Sequence, residues 1–226
     1  MTNELIWVNE ADEVVGYGEK LLTHRERRLH RAFSIYLYDA GKRQLLLQKR
    51  AENKYHSGGL WSNTCCSHPY RQESFSQSIR RCMRDELGVA PRIAEVTYKG
   101  REWPQNTRIP CEDGVLLFAG QYLYRASFGE LGEDEIDSVF LFCPDDAFLS
   151  MITPNPLEVA ELQWFSPEAL DEMLEDSPGR FSRWFSGTYR LIKALLCQSW
   201  EGQISCQTDG AAPCAALTAK SKEEQV

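Results

Sequence analysis

Residues 61–69, WSNTCCSHP, set two adjacent cysteines, a histidine and a proline in one short polar segment. Such a set is rarely assembled for packing alone, although a buried cysteine pair beside a loop histidine would also write it. A histidine two residues after Cys66 places a metal ligand, His68, beside an acid/base thiol, a combination that lowers a thiol pKa. Three other histidines exist: His24 and His30 in HRERRLH, and His56 in KYHSGG. A spacing of six is not one helical face, so His24 and His30 also read as two turn residues. The acidic run GEDEID at 132–137 has the composition of a solvated turn. If Glu135 opens a strand, however, Glu133 and Glu135 share a face. Two carboxylates on one face, joined by imidazoles from elsewhere, suit an O/N-coordinated divalent ion such as magnesium, manganese or zinc.

Positioning these groups requires a sheet and at least one helix. RAFSIYLYDAGKRQLLLQKR, residues 31–50, places two β-rich apolar runs around Asp39-Ala40-Gly41-Lys42, the pattern of a hairpin. From Glu73 to Leu87 the period becomes helical, with Phe75, Ile79, Met83 and Leu87 on one face and Gly88 closing the segment. Runs 115–125 and 135–142 are short and strand-like. Ser166-Pro167-Glu168 opens a helix with a cap, a first-position proline and a first-turn acid. A last amphipathic helix is predicted over 181–199. This irregular alternation favours an α/β (α+β) class, a mixed β-sheet sandwiched by helices.

Composition narrows the partners. With 25 Lys+Arg against 33 Asp+Glu the net charge is −8, so no nucleic acid is expected to be held by a general basic field, and any phosphate binding must be local. No apolar run is long enough for a membrane helix, and MTNELIWVNEADE is no signal peptide, so the chain is expected to be cytoplasmic. Eight cysteines without CxxC spacing point to reduced thiols, the adjacent Cys65–Cys66 being a poor disulfide. One domain is expected over 1–200. Residues 201–226 lack aromatics and are expected to be a disordered tail, in which CAAL at 214–217 is internal and so no prenylation box.

From Ser67 to Val89 the chain resembles the Nudix box, G-x5-E-x7-R-E-U-x-E-E-x-G-U: Glu73, Arg81, Met83, Glu86, Gly88 and Val89 hold the register. Ser67 replaces the glycine, Cys82 the first of three metal-holding glutamates and Asp85 the second. NTCCSHP just before this degraded box, with GEDEID beyond it, resembles type I isopentenyl diphosphate isomerase, a Nudix-fold family that moves a double bond and does not hydrolyse. EKLLTHRERRLHRAFS, KRAENK and FSRWF also match that layout, so the resemblance covers about residues 5–198.

That resemblance implies an enzyme of isoprenoid precursor biosynthesis interconverting isopentenyl and dimethylallyl diphosphate. It implies one divalent metal on His24, His30, His68, Glu133 and Glu135. A magnesium carried with the substrate diphosphate would use Glu86. Lys20, Arg50 and Lys54 match positions that hold the diphosphate. Cys66 matches the proton-transferring thiol on one face of the alkene, and Glu135, backed by Tyr124, the group on the other. Trp184 in FSRWF matches a π face for the cationic intermediate, though plain core packing would explain it equally. Tyr122 is an alternative to Tyr124, since the spacing from Tyr124 to Glu133 is one shorter than the family's. Arg81 is expected to orient the box by pairing with a carboxylate. His56 matches nothing and reads as an ordinary loop residue. The segment 99–121 is longer than in a minimal member, and Cys111 and Glu112 within it receive no role. Monomer and homodimer are both compatible. The alternatives are a Nudix hydrolase of a nucleoside diphosphate derivative, which Cys82 at a ligand position disfavours, and a non-catalytic metal-binding module, which leaves the basic residues and Trp184 without purpose.

Overall fold

The computed structural model describes residues 3–54, 56–98 and 100–199; the expected tail lies outside them. A first hairpin, β1 (Glu4–Val8) and β2 (Val14–Glu19), leads into a short helix α1 (Lys20–Arg25). The predicted hairpin follows as β3 (His30–Asp39) and β4 (Gln44–Arg50), with two short strands, β5 (Trp61–Ser62) and β6 (Cys65–Ser67), before helix α2 (Phe75–Leu87). Beyond it come β7 (Arg108–Ile109), the long pair β8 (Gly114–Phe128) and β9 (Leu131–Pro144), α3 (Asp146–Ser150), β10 (Val159–Phe165), α4 (Pro167–Asp176) and α5 (Phe185–Ser199).

The main sheet runs β10-β4-β3-β9-β8-β7, with β1, β5 and β6 paired at its margins. It is mixed: β3 and β9 are parallel, and the other pairings are antiparallel. One face packs on α2 through Phe33, Ile35, Phe118, Phe140 and Phe142 against Ile79, Met83 and Leu87. The other packs on α4 and α5 through Tyr36, Leu45, Leu47 and Leu141 against Leu170, Phe185, Tyr189 and Ile192. Truncating one of the fully buried phenylalanines would cost about 3–5 kcal/mol, so both layers are needed to hold the sheet.

Local chemistry sets the helix ends. Ser74 and Gln77 form a reciprocal capping box at the start of α2, and Gly88, at φ 71°, closes it in the left-handed region. Ser166 caps α4, with Pro167 in its first turn, as the sequence predicts. Two boundaries differ from expectation. The last helix starts at Phe185, four residues late, because Phe181 bridges to Trp61 and the Ser182 amide donates to the Trp61 carbonyl, which holds this segment against β5. The strands expected at 115–125 and 135–142 extend to 114–128 and 131–144, so GEDEID is ladder and not a solvated turn. Its charges are met there, Asp134 by Arg27 and Arg125 and Glu133 by histidines.

One residue of β8 is out of step. Phe118 opposes Phe140 but Gly120 opposes Val139, which leaves Ala119 as a bulge, with Gly120 at φ 138°. Before it, odd residues face α5; after it, even ones do, so Tyr122 and Tyr124 turn to that side while Gln121 faces away to Tyr98.

Candidate active site

His24 ends α1 and His30 begins β3. The intervening turn, with Arg27 at φ 54° and the Arg28 amide donating to the Thr23 carbonyl, brings their rings to 5.0 Å. His68 follows β6, its ring 4.9 Å from that of His30 and 5.5 Å from that of His24. Glu133 and Glu135 are alternate residues of β9, and the pairing of His30 with Glu135 across the parallel β3–β9 ladder sets the carboxylates against the histidines. One ligand atom from each of the five lies within 4.8 Å of the others. Glu133 Oε2 is 3.1 Å from His24 Nε2, and Glu135 Oε1 is 2.8 Å from His68 Nε2 and 3.7 Å from His30 Nε2.

The donor set fits a divalent cation. His30 Nδ1 lies 2.7 Å from the Arg28 carbonyl, to which only an N–H can donate, so the lone pair sits on Nε2. That Nε2 is buried, has no hydrogen-bond partner among the described residues and points into the cluster. Burial pushes the His30 pKa down to about 4, and burial with the nearby Lys20 charge lowers that of His68, so both are neutral ligands. Burial drives both glutamates toward their protonated forms. For Glu133 the neighbouring His24 and His56 outweigh it and hold the carboxylate well below its usual range. Glu135, buried beside the Glu133 charge, is raised. Two adjacent carboxylates among buried imidazoles are what a bound cation stabilises.

His68, Glu133 and Glu135 of this cluster line a cleft of about 260 Å³ that also takes in Cys66, Tyr124, Trp184, Lys20, Arg50, Lys54 and Glu86. Of the residues to which the sequence assigns a site role, Tyr122 apart, all but His24 and His30 line this cavity, and those two meet Glu133 and Glu135 from the protein side. On β6, Cys65 enters the core against α2 and Cys66 enters the cleft, since neighbouring strand residues face opposite ways. Asn63 holds this turn, donating to the Cys65 carbonyl at 2.6 Å and accepting from the Trp184 indole at 2.9 Å. The expectation of a lowered thiol pKa is not met. Burial, followed by the charge of Glu86, pushes Cys66 well above the ordinary value, and the neutral His68 offers no compensating charge.

Tyr124, not Tyr122, lines the cleft. The Tyr122 ring lies flat on Gly187, where an added Cβ would come within 2.2 Å. Trp184 stands edge-on to Tyr124 at 6.1 Å, and the Arg50 guanidinium lies 5.2 Å above its ring. Arg50 Nε is buried without a hydrogen-bond partner among the described residues, a donor available to an anion. Lys54 is paired with Glu158. Glu86 accepts from Gln48 at 2.8 Å, and burial raises its pKa to about 7. Cys82, at the degraded box position, is buried in the core. Arg81 grips Glu73 with two nitrogens at 2.7 and 3.0 Å and donates to the His68 carbonyl at 2.9 Å, so it orients the box and the ligand strand together.

Two cleft residues escaped sequence reasoning. Asp137 continues the Glu133–Glu135 face and accepts from Ser34 at 2.7 Å; its period-two spacing was the available signal. His56 is no ordinary loop residue, because its Nε2 lies 2.8 Å from Glu133 Oε1 and its ring stacks on Phe128. Nothing in a single sequence shows that this loop folds back over β9.

The chain matches the NUDIX domain over residues 28–185. A solved structure from Deinococcus radiodurans shares the fold at TM-score 0.54 and 19% identity, covering 84% of this chain and 98% of that one. The class is thus a Nudix-fold protein. Among curated relatives, the isopentenyl-diphosphate Delta-isomerase of Burkholderia multivorans is 38% identical over 82% of this chain and 90% of its own. That of Aliivibrio fischeri (strain MJ11) is 36% identical over 88% and 99%, and the chloroplastic isopentenyl-diphosphate Delta-isomerase I of Arabidopsis thaliana 36% identical over 88% and 66%. This chain belongs to the isopentenyl-diphosphate Delta-isomerase family.

Proposed function

We propose that the chain interconverts isopentenyl diphosphate and dimethylallyl diphosphate, with the cleft as its active site. The observation that carries this reading is the placement of proton-transfer groups on either side of β3: Cys66 on β6, paired with Ser34, and Glu135 on β9, paired with His30 and Tyr124. An unactivated alkene is a weak base, so moving its double bond requires a proton added to the terminal methylene carbon and another removed from the carbon beside the diphosphate-bearing one, through a tertiary cation. Cys66 and Glu135 exchange those protons from opposite sides, in either direction. Tyr124 backs Glu135, and the Trp184 face stabilises the cation by about 2 kcal/mol when desolvated.

His24, His30, His68, Glu133 and Glu135 hold a magnesium, manganese or zinc ion, which when bound adjusts the acidity of Glu135. Lys20, Arg50 and Lys54 hold the diphosphate, Lys54 exchanging Glu158 for it, and Glu86 takes the magnesium that accompanies it. The hydrolase alternative is poorly served by Cys82, which stands beside Glu86 with its thiol donating at 3.4 Å but puts no carboxylate at that box position, leaving it one ligand short. Among the described residues no helix is long and apolar enough to cross a membrane, and we assign the enzyme to the cytoplasm. The test is turnover of isopentenyl diphosphate in heavy water with a divalent metal, followed by proton NMR. Deuterium in the dimethylallyl methyl group without phosphate release is expected; phosphate release without carbon labelling would assign the chain to the hydrolases.

A further inference from the structure

The loop between β4 and β5 carries two residues that line the cleft, Lys54 and His56. His56 is enclosed: its side chain is only 7% exposed, its ring stacks on Phe128 at 4.5 Å with planes 18° apart, and it stands edge-on to Trp184 at 5.7 Å. The Arg183 guanidinium also lies over the Phe128 ring, 5.1 Å from its centre. His56 Nε2 reaches Glu133 Oε1 at 2.8 Å, while Nδ1 lies 3.3 Å from the Ser57 hydroxyl. Glu133 turns its other oxygen, Oε2, to His24. The imidazole is not one of the five groups whose ligand atoms converge, because its inward nitrogen is spent on the carboxylate.

A carboxylate that gives one oxygen to a metal needs a partner for the other, both to satisfy a buried acceptor and to fix its rotation. We propose that His56 is a positioning residue for the metal centre: it donates to Glu133 Oε1 and keeps Oε2 turned toward the ligand cluster. This rests on reading the five-residue cluster as a metal centre. Stacking alone would give His56 a packing role that phenylalanine fills equally well, whereas the bond to Glu133 requires a side chain with an N–H. The two roles therefore separate by substitution.

The experiment is Mn²⁺ titration of the metal-stripped full chain against a chromophoric chelator, for the wild type, His56→Phe, His56→Gln and His68→Ala. Removing an outer partner of a ligand typically costs 10–100-fold in metal affinity, so His56→Phe should weaken Mn²⁺ binding by roughly that factor. His56→Gln, which retains an N–H donor, should stay within about threefold of the wild type. Metal-free melting temperatures report whether each variant folds, and His56→Gln keeps the test decisive if the phenylalanine variant does not. Wild-type affinity in His56→Phe would overturn the proposal, as would equal losses in both variants, which would make the ring itself a ligand. If His68→Ala binds Mn²⁺ as the wild type does, the metal-centre reading falls first and the role of His56 with it.

Discussion

Tyr124 and Glu135 oppose each other directly across the β8–β9 ladder, and Glu135 is opposed on its other side by His30. The carboxylate is thus flanked by a phenol and an imidazole. The Tyr124 hydroxyl is buried without a hydrogen-bond partner among the described residues, and burial, then the charges of Glu135 and Glu133, hold its proton far above the usual phenol range. It is a permanent donor beside Glu135. Tyr124→Phe should lower kcat by about 10²-fold or more, the scale of a lost proton-transfer partner, with KM nearly unchanged. A raised KM at unaltered kcat in steady-state assays would make it only a wall of the cleft.

The two cysteines of β6 offer a paired control. Cys66→Ala should abolish isomerisation while diphosphate binding, read by calorimetry, stays nearly intact. Cys65→Ala should remain active and lose about 1 kcal/mol of stability from the core. The reverse result would mean that the other thiol faces the substrate.

Metal content tests the cluster independently of turnover. His68→Ala and Glu133→Gln should each release the divalent ion on dialysis, as elemental analysis would show. Retention of metal by both would remove the assignment.

Trp184 combines a π face in the cleft with an indole bond to Asn63. Trp184→Leu should slow turnover by about 30-fold, the kinetic equivalent of about 2 kcal/mol, while Trp184→Phe keeps most of the rate. Both lose the Asn63 bond, about 1 kcal/mol, so both should melt about 2–4 °C lower. A similar rate loss in both would favour packing over cation stabilisation.

Among the described residues, the sheet and the helices on its two faces end at Ser199. A chain ending at Trp200 should keep its kcat and its melting temperature; a fall in either, by assay or calorimetry, would give residues 201–226 a part in the fold.

Much of this was legible because it depends on short-range periodicity. The face of α2 follows from Phe75, Ile79, Met83 and Leu87, and the shared direction of Glu133 and Glu135 from strand alternation. The convergence of His24 with Glu133 was carried by motif resemblance, since it depends on α1 and its turn, which local pattern did not predict. His56 was missed for the opposite reason: its partners are 72 and 77 residues away, reached by a loop with no period to read. The behaviour of the Cys66 thiol also lay beyond the sequence, because adjacency to a histidine says nothing about how deeply both are buried.

The bulge at Ala119 marks a change in how the gene can tolerate length variation. Upstream of the bulge, residues can be added or lost in the connection between α2 and β8 without altering which side chains meet β9. Downstream, a single codon gained or lost before the β8–β9 turn would exchange the two sides of the strand and offer Leu123 or Arg125 to the cleft in place of Tyr124. Insertions and deletions among descendants of this sequence should therefore collect between α2 and Gly114 and be absent after Gly120.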